Sequence, residues 1–125
     1  MTAARRVFVY GSLLSGEPNH RVLAGARRVR EARTAPRFAL HDLGAYPAMI
    51  EGGAHAIAGE VYEVDAKTLA RLDVLEGHPR YYRRAAMALA DGSSAETYLL
   101  TPAQVEGRPL IASGQWRGRR RENVG

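Results

Sequence analysis

An α+β protein with a curled, barrel-like mixed sheet and short helices on its outside is what three features of this 125-residue chain predict. Most apolar residues fall in short β-branched and aromatic runs punctuated by Gly, Pro and Asp; one segment, 66–76, carries a helical period; no repeat or low-complexity tract intervenes. A chain of this length holds one core and one domain, read here as residues 1–113. From residue 114 periodicity fails, and 114–125 read as a basic C-terminal tail.

The first strand spans 5–10, rich in Val, Phe and Tyr, and Gly11 stops it. Residues 18–23 suit a short helical turn before Gly25. Segments 26–35, 37–43 and 47–51 read as strands or extended connections, with Gly44 and Gly52-Gly53 as breaks. Residues 56–64 have strand composition, and Asp65 is placed to cap a helix beginning at Ala66. In that helix Leu69, Leu72, Asp73 and Glu76 fall at i, i+3, i+4 and i+7, so a carboxylate shares the stripe that two leucines drive inward. Gly77 supplies a C-terminal stop and Pro79 prevents resumption. Residues 81–90 and 95–100 form a hairpin around Asp91-Gly92, lengthened by Ser93-Ser94.

Composition removes several classes of chemistry. The absence of cysteine excludes disulfides, thiol nucleophiles and thiolate metal sites. No apolar run approaches the roughly 20 residues of a membrane span, so no membrane partner is expected. The opening Met1-Thr2-Ala3-Ala4-Arg5-Arg6 lacks a signal-peptide core, and the expected location is the cytoplasm. The formal charge is +5, with Lys67 the one lysine among eighteen basic residues. Arginines cluster at Arg27, Arg28, Arg30, Arg33 and Arg37, and again at Arg117, Arg119, Arg120 and Arg121. Such runs are ordinarily solvated faces or tails, and they do not favour nucleic acid as a partner. His20, His41, His55 and His78 show no metal-ligand spacing, and neither a P-loop nor a G-x-G-x-x-G fingerprint occurs, so no metal or cofactor is implied.

Two segments carry positive chemistry. A buried strand running into Tyr10-Gly11-Ser12-Leu13 can aim backbone N–H groups at an anion or a polarised carbonyl, because glycine allows close backbone approach. Ser12 lacks a nucleophile elbow and a His-acid pair, which argues against it as a nucleophile. Glu76, desolvated among leucines, is expected to have a raised pKa, and Asp73 one turn earlier would push it the same way by repulsion. The competing reading puts Glu76 at a frayed helix end, reaching solvent or pairing with Arg80, Arg83 or Arg84. Tyr46-Pro47 and Tyr81-Tyr82 set phenols beside turns, lining a pocket or simply packing.

Taken in order, Val7-Phe8-Val9-Tyr10-Gly11-Ser12-Leu13, the stretch from Gly16-Glu17-Pro18-Asn19 to Leu23, Tyr46-Pro47, Gly59-Glu60-Val61-Tyr62-Glu63-Val64-Asp65, Leu72-Asp73 and Tyr82 with Arg84 resemble the gamma-glutamyl cyclotransferase family, closest to its gamma-glutamylamine cyclotransferase-like branch. The resemblance covers most of the chain up to about residue 100. It implies a small mixed β-barrel with flanking short helices. It implies a substrate loop at Tyr10, Gly11, Ser12 and Leu13, with Tyr46 and Tyr82 also at the substrate, and Glu76 as acid-base residue. The implied reaction is closure of a γ-glutamyl group to 5-oxoproline with release of an amine, without a cofactor or metal. The compact stretch between Tyr46 and Gly59, the Gly77-His78-Pro79 sequence and the basic C-terminal end depart from the pattern at the expected pocket rim, leaving the amine open. A binding module of the same fold, recognising nucleic acid or an acidic metabolite through arginines, is the alternative; the sequence does not address oligomeric state.

Overall fold

In the computed structural model, which describes residues 4–117, the predicted elements follow one another as β1 (Arg5–Val9), a 3-10 turn (His20–Leu23), β2 (Arg27–Arg33), β3 (Phe38–Asp42), β4 (Pro47–Glu51), β5 (Ala58–Val64), α1 (Ala66–Glu76), β6 (Arg83–Ala88), β7 (Ser94–Leu99) and a second 3-10 turn (Pro102–Val105). All seven strands join one mixed sheet in the order β2-β5-β1-β7-β4-β3, with β6 on β7. Strand β1 is central, antiparallel to β5 and parallel to β7, which explains why Val7, Phe8 and Val9 are all buried rather than alternating.

Strand β7 organises the sheet. One edge carries β6, from Arg83 opposite Leu99 to Ala88 opposite Ser94. The other edge is divided: Glu96 faces Val7 of β1, and Leu99 faces Met49 of β4. The sheet curls until Thr34, just after β2, bridges Leu89, just after β6. The Ala35 N–H donates to Ala88 O at 3.0 Å and the Ala90 N–H to Arg33 O at 2.9 Å across this seam. The seam is a short bridge rather than a ladder, so the barrel-like sheet stays open along the rest of that edge.

Helix α1 begins and ends where its local chemistry dictates. The Thr68 N–H donates to Asp65 Oδ1 at 2.7 Å, satisfying one of the unpaired donors of the first turn. Gly77 adopts φ 68°, the left-handed conformation of a helix stop. Leu69 and Leu72 are buried, as their spacing requires. Asp73 ties the helix to the hairpin: its Oδ1 accepts from the Tyr98 hydroxyl at 2.7 Å and from Arg84 Nε at 3.0 Å.

The start of the segment read as a tail is packed against the domain. The Ala58 N–H donates to Gly114 O at 2.9 Å, and Trp116 is buried with its Nε1–H 3.2 Å from Glu17 Oε1. The packing therefore continues through 114–117, because these residues cover the start of β5 at Ala58 and the loop at Glu17. Residues 118–125, with Arg119, Arg120 and Arg121, lie outside the described residues.

Leu72 is fully buried on the inward stripe of α1, whereas Val74 is 82% exposed two residues later. Leu72→Ala is expected to lower stability by about 2–5 kcal/mol, and Val74→Ala to change it by less than about 0.5 kcal/mol. Urea denaturation midpoints at constant m-value check both.

Candidate active site

The chain leaves β1 through Tyr10, whose side chain is 7% exposed. Its hydroxyl donates to Tyr98 O at 2.6 Å and accepts the Met49 N–H at 3.1 Å, filling the place where β1 and β4 part along β7. Gly11 follows and lies directly against Pro47; a Cβ there would stand 2.5 Å from Pro47 Cγ, so no larger residue fits without moving the proline. The loop then turns, the Leu14 N–H donating to Gly11 O at 3.0 Å. Asn19 supports it from the far side, its N–H donating to Ser12 O at 2.9 Å and its Nδ2 to Ser12 Oγ at 3.0 Å. His20 Nδ1 donates to Leu13 O at 2.9 Å. The backbone N–H groups of Gly11, Ser12 and Leu13 make no hydrogen bond with a described residue.

That loop forms one wall of a cavity of about 260 Å³. Every site residue expected from the sequence lines it: Tyr10, Gly11, Ser12, Leu13, Tyr46, Tyr82 and Glu76. Glu76 enters from the last turn of α1, immediately before the Gly77 stop. Its carboxylate makes no hydrogen bond or ion pair with a described residue, and burial pushes its pKa up to about 7. The expected repulsion by Asp73 does not contribute, because Asp73 is engaged with Arg84 and Tyr98. Nor do the neighbouring arginines pair with Glu76: Arg84 bridges Asp73 and Glu96, and Arg83 reaches Glu51.

Hydroxyls of the aromatic wall are engaged within the protein. Tyr82, 4% exposed, donates to Pro47 O at 2.7 Å. Tyr46 and Tyr81 stand at the mouth with their hydroxyls 2.9 Å apart and their rings edge to face. Burial and the Tyr46 hydrogen bond push Tyr81 up to about 12, and burial raises Tyr10, Tyr82 and Tyr98, with the Glu76 charge acting in the same direction. Tyr10, Tyr81, Tyr82 and Tyr98 thus stay protonated near neutrality, where the desolvated Glu76 carboxyl titrates.

Phe8, Val9, Asn19, Pro47, Leu75, Tyr81 and Tyr98 complete the lining, none of them among the substrate or acid-base residues that the resemblance implies. Asn19, Pro47 and Tyr81 sit within or beside quoted motifs; Leu75 and Tyr98 carry no local signal, since their position follows from how α1 and β7 meet. Three arginines of the first cluster are engaged: Arg27 pairs with Glu63 at 3.2 Å, Arg28 with Glu60 at 3.5 Å and Arg30 with Asp91 at 2.6 Å. Among the described residues no group of three His, Asp or Glu side chains is arranged to hold a metal ion, and no helix is long and apolar enough to cross a membrane.

Comparison with known proteins agrees with this architecture. A Vibrio cholerae protein provisionally named a gamma-glutamylcyclotransferase is 43% identical over 115 residues, covering 88% of this chain and 93% of that protein. The gamma-glutamylaminecyclotransferase of Bos taurus is 40% identical over 96 residues, covering 67% of this chain and 55% of its own length, so this chain spans about half of the bovine protein. A crystal structure of an AIG2-like protein from Mus musculus superposes with a TM-score of 0.75 at 28% identity, covering 93% of this chain and 91% of the other. The family profile described as "Gamma-glutamyl cyclotransferase, AIG2-like" matches residues 7–118, and the chain belongs to that family.

Proposed function

We propose that this protein is a gamma-glutamylamine cyclotransferase-like enzyme, closing a γ-glutamyl group to 5-oxoproline and releasing an amine, with Glu76 as general acid and base. The observation that carries the reading is a desolvated carboxylate, unpaired with any described residue, in a cavity also lined by Gly11, Ser12 and Leu13, whose backbone N–H groups lack a hydrogen-bond partner among the described residues. The bovine relative's name supports an amine as leaving group.

In this mechanism Glu76 accepts a proton from the substrate α-ammonium. The freed nitrogen attacks the γ-carbonyl carbon of the same molecule and a new C–N bond forms. The oxyanion that develops is held by N–H groups of residues 11–13, each such donor contributing on the order of 10²–10³ in rate. The old C–N bond then breaks as Glu76 returns the proton to the departing nitrogen; the second proton shed by the ring nitrogen also ends on the amine, which leaves as an ammonium, so no external reactant is consumed. Nucleophile and electrophile are tethered, and the aromatic walls have mainly to select the folded-back conformer and exclude water. The buried pKa suits this exchange, since a group near 7 both takes and gives a proton at neutral pH. A binding module using arginines is less well supported, because Arg27, Arg28 and Arg30 are matched to Glu63, Glu60 and Asp91.

Glu76→Gln is expected to fold and to lose about 10²–10⁴ in kcat, read as 5-oxoproline released from a panel of γ-glutamyl amines and dipeptides by mass spectrometry. Retained turnover in the variant would discard the acid-base role. In the wild type, kcat/KM should rise with pH along a limb whose apparent pKa lies near 7; a limb at the ordinary 4.5 would contradict a desolvated Glu76.

The same shift links to stability. A raised folded-state pKa means that the folded protein binds more protons than the unfolded chain between pH 4.5 and 7, so stability falls as pH rises through that window. Glu76→Gln lacks this term. Relative to the wild type it should gain roughly 1–3 kcal/mol between about pH 4 and pH 8, measurable by chemical denaturation at the two pH values.

A further inference from the structure

Glu60 is a buried carboxylate that the reaction above does not use. It is 2% exposed in β5 and lines a separate cavity with Leu14, Trp116 and Arg117 rather than the one that holds Glu76. Its Oε1 accepts the Ser15 N–H at 2.9 Å and the Tyr62 hydroxyl at 2.9 Å. Its Oε2 accepts the Ser15 hydroxyl at 2.8 Å, and guanidinium nitrogens of Arg28 and Arg117 each lie 3.5 Å away. Burial alone would raise its pKa, but the two Ser15 donors, the Tyr62 hydroxyl and the Arg117 charge hold the carboxyl below its ordinary range. A charge so placed is tolerated only because it is fully coordinated.

What the carboxylate grips is the far end of the substrate loop. The near end is fixed by the Tyr10 hydroxyl on Tyr98 and Met49, and by Gly11 against Pro47. The turn from Gly11 to Leu14 delivers the chain to Ser15, where Glu60 takes both the backbone and the side-chain donor. Arg117 closes the same point from outside, donating to Ser15 O and, at 3.1 Å, to Ser15 Oγ. Gly11, Ser12 and Leu13 are thereby held between two ties.

Resting on the cyclotransferase reading, we propose that Glu60 is a positioning residue: through Ser15 it fixes residues 11–13 in the geometry that presents their N–H groups to the substrate. A carboxylate suits the role because it accepts several donors at once; glutamine keeps the shape but turns one acceptor into a donor facing donors.

The test compares Glu60→Gln, Ser15→Ala and the double variant with the wild type by steady-state kinetics and amide hydrogen exchange. Glu60→Gln should lose about 10–10²-fold in kcat, the scale of a small misplacement of a reacting group. KM should change little, and the apparent pKa near 7 should not move, since Glu76 is untouched. The double variant should be no worse than Glu60→Gln, as expected for residues acting as one unit. Exchange should quicken at Leu14, Ser15, Glu17 and Asn19, bonded amides of the loop, and stay unchanged in β7. Wild-type kcat in both single variants, losses that multiply independently, or exchange quickened throughout the sheet would each overturn the proposal. If the wild type releases no 5-oxoproline from any γ-glutamyl compound, the cyclotransferase reading fails by itself; exchange then decides the clamp, and unchanged loop amides in Glu60→Gln overturn it.

Discussion

The hydroxyl of Tyr10 holds the molecule together at the point where its sheet divides. Two strands share one edge of β7, and where β1 turns away before β4 takes over, backbone groups of Tyr98 and Met49 would lose their ladder partners. Buried and unpaired, each would carry a desolvation penalty of about 1–3 kcal/mol. One phenol answers both, donating to the carbonyl and accepting the N–H. Thr97 performs a related service one residue earlier, its hydroxyl donating to Phe8 O at 2.9 Å. Because the division is satisfied from within, the sheet can open there, and the cavity occupies the opening.

The same residue that closes the sheet launches the loop, so fold and site are not separable. Tyr10 sets where the chain leaves the sheet, and the contact between Gly11 and the Pro47 ring sets the direction in which it goes. Pro47 in turn begins β4 and offers its carbonyl to Tyr82, which closes the aromatic wall. Three elements distant in sequence are thus locked by two phenol hydroxyls and one missing side chain.

Charge is distributed with a clear division of tasks. Asp73 is matched to Arg84, Glu96 to Arg84 and Arg5, Glu63 to Arg27, and Glu60 to a set of donors. None of these carboxylates lines the cavity. Glu76, one turn beyond Asp73 on the same helix, has no such partner among the described residues, and desolvation alone sets its behaviour. The two carboxylates three residues apart differ in their partners: Asp73 is fixed in an ion pair, and Glu76 stands desolvated in the cavity.

Local chemistry wrote the elements into the sequence: the apolar run before Gly11, the Asp65 cap, the Gly77 stop, the turn at Asp91-Gly92 and the presence of Glu76 on a leucine stripe all act over a few residues. The pairing of charges was not legible, because which arginine faces Asp73 depends on β6 and β7 folding back across α1. Tyr98 and Leu75 joined the cavity, and Glu60 left an ordinary strand pattern to grip Ser15, through contacts spanning tens of residues. The packing of 114–117 onto Ala58 and Glu17 was hidden for the same reason. Periodicity and capping are short-range properties that a sequence carries by itself, whereas the desolvation of one carboxylate and the neutralisation of another exist only once the strand order has brought their surroundings together.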